Sequence, residues 1–266
     1  MVGRICFGRA ISKWLERGLM NFRRQTFLGF ATAIFVCVSA STALPLNLPI
    51  TAFWAQHKIT SGKFPIHSAC MMPPQAHLTR IGMKGAEGMS KESDAWAVGL
   101  EDMVESHLKS DGIAISSAIN PLSSGASDGE IRGVISQIQQ KFSSVLPLMR
   151  KKPGGIGKSV YTLGDQVGML PCSENSEILV FVQGVGQVVT QGRASMTLLV
   201  GGPDEDAVLF VTIADAKTGE IVGFIQVYPG DASLLDAEAA FGQKLDQQLA
   251  NMNIGSARKR AAASGH

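Results

Sequence analysis

The chain has 266 residues, 45% apolar and 17% charged, so it can bury a core and is not disordered by composition. A formal net charge of +2 excludes a strongly basic nucleic-acid binder as the default. Residues 1–43 carry six Lys/Arg and one acid, Glu16, whereas 44–266 hold 18 basic residues against 21 acidic ones, so the positive excess sits at the N-terminus.

That segment reads as an address. Thr26 to Val38 is an uncharged apolar run, Arg23 and Arg24 precede it, and small residues at Ser39-Ala40 and Ser41-Thr42-Ala43 follow it. A basic n-region, an apolar h-region and an A-x-A-like site define a secretory signal over 1–43, cleaved after Ala40 or Ala43. The run falls short of the roughly 20 residues of a membrane-spanning helix. An uncleaved membrane anchor is the alternative. Met20, followed by Asn-Phe-Arg-Arg, opens an n-region of normal length, and the reading places the true start there. The expected location is the periplasm or the extracellular space.

Export changes how cysteines are read. Cys6 and Cys37 leave with the signal, and the mature chain keeps Cys70 and Cys172. A disulfide between them is the first reading, and two buried free thiols the alternative. The chain-entropy estimate for so long a loop is roughly 4–5 kcal/mol. His67-Ser-Ala-Cys70 makes a poor lipobox, because His67 replaces an aliphatic residue and the apolar run ended some thirty residues earlier.

Residues 44–68 hold three prolines without a clear period and read as an extended linker. Ala69–Pro74 and Ala76–Met83 are expected strands, with Pro73-Pro74 barring a central ladder position. Ser90 to Asp111 is an expected helix with Ser90 as N-cap. Its apolar stripe is Trp96, Leu100, Met103, Val104 and Leu108. Asp111-Gly112 ends it, and a short strand follows at Ile113–Ile115. Ser127-Asp-Gly-Glu130 is a capping box that opens a long helix, which Pro147 ends or kinks. Ile131, Val134, Ile135, Ile138, Phe142 and Val145 point inward. Lys151–Lys158 is a basic, glycine-rich loop, and Thr162–Asp165 caps a short helix to Leu170. Glu177–Val189, nearly continuously apolar, suits a strand covered on both faces. Ala194–Val200 and Ala207–Ala214 follow as strands. Asp215–Gly219 is hairpin-turn chemistry with glycine at the left-handed position. Glu220–Val227 is the return strand. A helix from Asp231 buries Leu234, Phe241, Leu245, Leu249 and Met252, and 255–266 is a polar, basic tail. The sum is a single α/β domain over 69–254, a mixed sheet ending in an antiparallel meander with helices packed against it.

The candidate chemistry is thin. Gly154–Ser159 resembles the end of a P-loop, but Lys152 stands where the first glycine belongs and a helix, not a strand, precedes it. Gly184-Val-Gly186 follows a strand as a dinucleotide fingerprint does, but Val189 replaces the third glycine. A bulged or closely approached strand explains that pair. His67 and Cys70, at i and i+3, are two residues and do not make a metal site. A thiolate–imidazole pair would draw on Cys70 or Cys172 with His77 or His107, and a disulfide would abolish it. His107 near a helix C-terminus is favourable there by charge. No catalytic, cofactor-binding or metal residue is assigned, and no cofactor is expected. The basic patches, Arg150 to Lys152 and Arg258 to Arg260, could touch anionic lipid or envelope polymers.

Several segments together resemble a family of exported bacterial proteins of unknown function: 73–96 (PPQAHLTRIGMKGAEGMSKESDAW), 120–142, 158–172, 177–190 (EILVFVQGVGQVVT) and 215–223 (DAKTGEIVG). At fold level the strand 179–188, the hairpin at 215–221 and the closing helix resemble periplasmic domains of outer-membrane lipoproteins. These include the curli secretion channel lipoprotein and the activators of peptidoglycan synthases. The resemblance implies an α/β fold and an envelope location, and it supplies no activity or catalytic residues. The expected function is that of a non-enzymatic periplasmic accessory or interaction module. Its partner is an unknown envelope protein or polymer, with a weak membrane-surface contact and no nucleic acid. An exported thiol enzyme and a small-ligand binding protein, with glycine-rich 184–192 lining its pocket, are the alternatives.

Overall fold

The computed structural model describes residues 51–118, 128–190, 205–229 and 237–254. The chain divides into two units, Met1–Leu48 and Pro49–His266, and all described residues lie in the second. In chain order its elements are β1 (Ala52–Ala55), a helical turn α1 (His57–Thr60), β2 (Ser68–Met71), β3 (Gln75–Gly82), β4 (Gly85–Gly88), α2 (Ser90–Ser110), β5 (Ala114–Ser117) and α3 (Asp128–Lys151). Three short 3-10 turns follow, at Pro153–Lys158, Asp165–Met169 and Pro171–Glu174. Then come β6 (Ile178–Val189), β7 (Glu205–Asp215), β8 (Ile221–Val227) and α4 (Ala237–Asn251). The helix was expected from Asp231, and the signal region, the capping-box Ser127, the strand at 194–200, Leu234 and the tail lie outside the described residues.

The strands form one mixed sheet in the order β1-β8-β7-β6-β2-β5. β6 to β8 is an antiparallel meander, while β2 and β3 both run parallel to β6. β2 pairs with Ile178 to Val180, and β3 with Gln183 to Val189. The gap opposite Phe181 and Val182 is where Met72-Pro73-Pro74 passes, since proline has no N–H to give the ladder. The two halves then acquire different outer neighbours, β5 on β2 and β4 on β3.

The run Ile178–Val182 is apolar throughout because both sheet faces are covered. Ile178, Val180 and Val182 pack under α2 and α4 with Trp96, Leu100, Leu108, Phe241 and Leu245. Leu179 and Phe181 pack under α3 and the 3-10 turns, with Ile135, Ile138, Phe142 and Leu163. Phe142 stacks on Phe181 with ring centroids 4.6 Å apart. The result is helix on both faces of a sheet, as the sequence pattern implies.

Helix ends obey local chemistry. Gly112, at φ 84°, terminates α2, with Ile113 N–H on Leu108 O at 3.1 Å and Gly112 N–H on Lys109 O at 2.9 Å. That doubly bonded left-handed stop satisfies two orphan carbonyls. α4 ends in the same way through Asn253, at φ 66°. In the hairpin between β7 and β8, Asp215 Oδ1 accepts from the N–H groups of Lys217 and Thr218, and Gly219 takes φ 68°.

Three expectations are corrected. Residues 52–60, read as part of a linker, form β1 and α1, and β1 pairs with β8 from Ala52 opposite Gln226 to Ala55 opposite Gly223. Trp54 stacks on Phe224, so a short edge strand is held by an aromatic pair rather than by an apolar run. Ser90 is the first residue of α2, not its cap. Ser93 does the polar work there, its Oγ accepting from Leu78 N–H at 2.9 Å and donating to Met89 O. α3 continues through Pro147 to Lys151, because Leu146 and Met149 are buried on either side of it.

Candidate functional site

Cys70 and Cys172 are bonded to each other, with their Cα atoms 5.8 Å apart and a sequence separation of 102. Cys70 is fully buried in β2, and Cys172 lies in the last 3-10 turn. The bridge therefore ties an interior strand to the turns beneath α3. Neither sulfur is a thiolate in this state, so neither is a nucleophile.

Beside this bridge is a cleft of about 400 Å³. Its floor is the C-terminal end of the parallel strands β2 and β5, where open α/β sheets usually receive ligands. Met71 and Ser116 come from those strands, Glu101 and Glu105 from α2, and Cys172 and Asn175 from the turn. Burial, and after it the charges of Glu105 and Asp102, hold the Glu101 carboxyl above the usual carboxylate range. Lys109, one helical turn on, pairs with Glu105. Ser116 Oγ lies 3.1 Å from Ser176 Oγ and 3.3 Å from Ala69 O. The wall is acidic with hydroxyls and one sulfur bridge. It offers anionic and hydrogen-bonding contacts, and no activated nucleophile.

The other sequence candidates lie apart. His67 and His77 are exposed. The backbone N–H groups of His67 and Ser68 bond Glu177, which places that carboxylate at the start of β2. His107 pairs with Asp246 of α4, so it clamps two helices rather than facing a cysteine. Among the described residues no three His, Cys, Asp or Glu side chains are grouped to hold a metal ion. Gly184 is a close-approach glycine: a Cβ there would come within 2.5 Å of Leu100 Cδ1 and 2.7 Å of Trp96 Cζ3. The space beside Gly184 is thus filled by α2 and is no pocket, while 191–192 lie outside the described residues.

The segment after α3 is built rather than loose. Ile156 is fully buried, and Tyr161 Oη donates toward Lys152 O at 2.8 Å and Leu148 O at 3.2 Å. Lys152 N–H bonds Leu148 O, and Val160 N–H bonds Gly155 O. Lys151, Lys152 and Lys158 stand exposed around it. Leu148 and Val160 are large apolar residues left 56% and 62% accessible. Sequence reasoning found the lysines but did not single out the two apolar neighbours, because their exposure is set by tertiary packing and not by a local pattern. On the far side of the turn, Glu220 receives Lys58 at 3.1 Å and Gln56 Nε2 at 2.9 Å. A hydrogen bond from Ser159 is the largest influence on its carboxyl; burial, next in size, opposes it, and the bonds from Gln56 and Lys58 help to keep the group below the usual range.

No helix among the described residues is long and apolar enough to cross a membrane. No protein-family model matches the chain, and no curated protein matches it. Among solved structures it is similar to the PelC dodecamer from Paraburkholderia phytofirmans. The two share 10% identity over 77% of this chain and 97% of that one, with a TM-score of 0.32. A single-substitution variant of the same dodecamer gives 10% identity over 76% and 98%, again with a TM-score of 0.32.

Proposed function

We propose that this chain is an exported cell-envelope protein that serves as a non-enzymatic accessory or interaction module, engaging an envelope protein or polymer. The observation that carries the export half is the Cys70–Cys172 bond. A reducing cytosol keeps such pairs as thiols, and an oxidising compartment bonds them. The basic, apolar and small-residue order of 22–43 supplies the route. The accessory half rests on chemistry: Cys70 and Cys172 are spent on each other, and among the described residues His57, His67 and His77 are exposed and His107 is paired with Asp246. Fractionation of cells expressing the full chain tests the reading. Export predicts a processed, disulfide-bonded species in the envelope fraction, and an unprocessed cytosolic dithiol contradicts it.

A second reading, a small-ligand binding protein, is favoured by the cleft at the ends of β2 and β5. Glu101 and Glu105 would suit a ligand bearing an amine, since carboxylates pair with cations. A ligand that binds only the folded state raises the melting temperature. Screening amines and polyamines by thermal shift against the protein and its Glu101→Gln variant tests it, and no shift with any member contradicts it.

A further inference from the structure

The two helical layers carry charge of opposite sign. On one face of the sheet, α2 holds Glu92, Asp94, Glu101, Asp102 and Glu105 against two lysines. On the other face, α3 and the 3-10 turns, residues 128–174, hold six Lys/Arg against four acids, and no acid stands between Arg132 and Lys158. Within the basic layer, Lys151, Lys152 and Lys158 gather at the end of α3 and form no ion pair among the described residues. Arg150 lays its guanidinium over the Phe210 ring at 4.8 Å, which leaves the lysines as the outward charges. Leu148 and Val160, which bracket these lysines along the chain, are exposed as well.

We propose that this ledge is a docking surface for an anionic phospholipid bilayer. The lysines complement the phosphate headgroups, and Leu148 and Val160 enter the headgroup–acyl boundary. Charge complementarity selects an anionic partner, and the apolar pair selects a lipid surface over a soluble polyanion, which offers such side chains no apolar phase. The backbone bonds from Lys152 and Val160, and the Tyr161 hydroxyl on the carbonyls of Leu148 and Lys152, tie the end of α3 to the turn that follows it, so little backbone ordering is needed on contact. The contact is weak and salt-sensitive, because screening acts over about 10 Å at 0.1 M salt. The proposal deepens the envelope reading by naming a partner. It is measured on purified protein, so it can fail while export stands, and export can fail while it stands.

The test is sedimentation with vesicles, using protein purified after expression of the full chain, so that the N-terminal region is common to every variant. Vesicles of phosphatidylglycerol mixed with phosphatidylcholine are expected to bind, and pure phosphatidylcholine vesicles to bind far less. Lys151→Ala/Lys152→Ala/Lys158→Ala is expected to weaken binding about a hundredfold, at about fivefold per lysine near an anionic surface. Leu148→Ser/Val160→Ser is expected to weaken it about tenfold with the salt dependence kept. Removing the same charge elsewhere, in Lys63→Ala/Lys84→Ala/Lys91→Ala, is expected to change it by less than about twofold. Absence of binding to phosphatidylglycerol vesicles overturns the proposal, as does equal loss in the two lysine triples. Heparin serves as the polymer probe: if it strips the protein from vesicles and the serine variant binds as well as the parent, the ledge is a polymer site and the lipid assignment is wrong.

Discussion

Tyr161 occupies the space in which a side chain at residue 155 would stand. A Cβ built on Gly155 would come within 2.7 Å of Tyr161 Cε2 and 3.0 Å of Tyr161 Oη. The ring reaches that position because its hydroxyl is drawn to the carbonyls of Leu148 and Lys152 at the end of α3. One glycine and one phenol thereby fix how the basic turn leaves the helix. Gly155→Ala is expected to lower stability by about 1–3 kcal/mol through overpacking. Tyr161→Phe, which strips the hydroxyl from two carbonyls, is expected to cost about 1 kcal/mol. Urea denaturation of both variants checks the order, and a neutral Gly155→Ala would mean that the ring moves freely.

The disulfide makes the largest prediction. Replacing Cys70 and Cys172 together by alanine is expected to lower stability by about 2–5 kcal/mol. Reduction of the parent is expected to produce a loss of similar size, because both remove the same cross-link. If the double variant melts with the oxidised parent, the bond contributes nothing to the folded state.

Gly184 carries a packing prediction. With Leu100 fully buried and Trp96 nearly so, a methyl group at residue 184 has no room. Gly184→Ala is expected to cost about 1–3 kcal/mol. Because the two residues share one space, adding Leu100→Ala is expected to give a combined cost smaller than the sum of the single costs. Additive costs in the double-mutant cycle would remove the proposed contact.

Two carboxyls give opposite pH signatures. Glu220, held below the usual carboxylate range first by Ser159, stabilises the folded state above the unfolded-state value and loses that contribution as pH falls through the folded one. Ser159→Ala is expected to move the Glu220 titration upward, as followed by carboxyl carbon shifts. Glu101 is raised instead, first by burial, so its ionised form opposes folding and stability is regained as pH falls through the folded value. Glu101→Gln is expected to raise Tm at neutral pH by no more than about 2 °C, since the group is partly exposed, and to change little in acid. A fall in Tm at neutral pH would show that the cleft needs the carboxylate for structure.

The parts of this fold that were legible in the sequence are those in which a local pattern and the tertiary burial agree. The stripe from Trp96 to Leu108, the run Ile178–Val182 and the Asp215–Gly219 turn all sit as their periodicity and turn chemistry imply. The double proline marks a break in pairing because its missing N–H is a covalent fact. β1 was illegible for the converse reason: it has four residues, and what recruits it is Phe224, about 170 residues away, meeting Trp54. Of the two readings for Pro147, ending or kinking the helix, the ending fails, because a helix can run past a proline when buried neighbours hold it, and what buries them is not local. At the candidate sites, the cysteines and lysines were visible as residue types. The cleft was not, since Glu101 and Cys172 become neighbours only through the register of β2 with β5 and β6.

The measurement closest to the central claim is the intact mass of the protein from an envelope fraction, alkylated with and without prior reduction. The account predicts a chain beginning at Ser41 or Leu44 that takes no alkyl group until it is reduced and then takes two, on Cys70 and Cys172. A chain that keeps its N-terminus, or two thiols that alkylate freely without reductant, would contradict export into an oxidising compartment and return the cysteines to consideration as reactive groups.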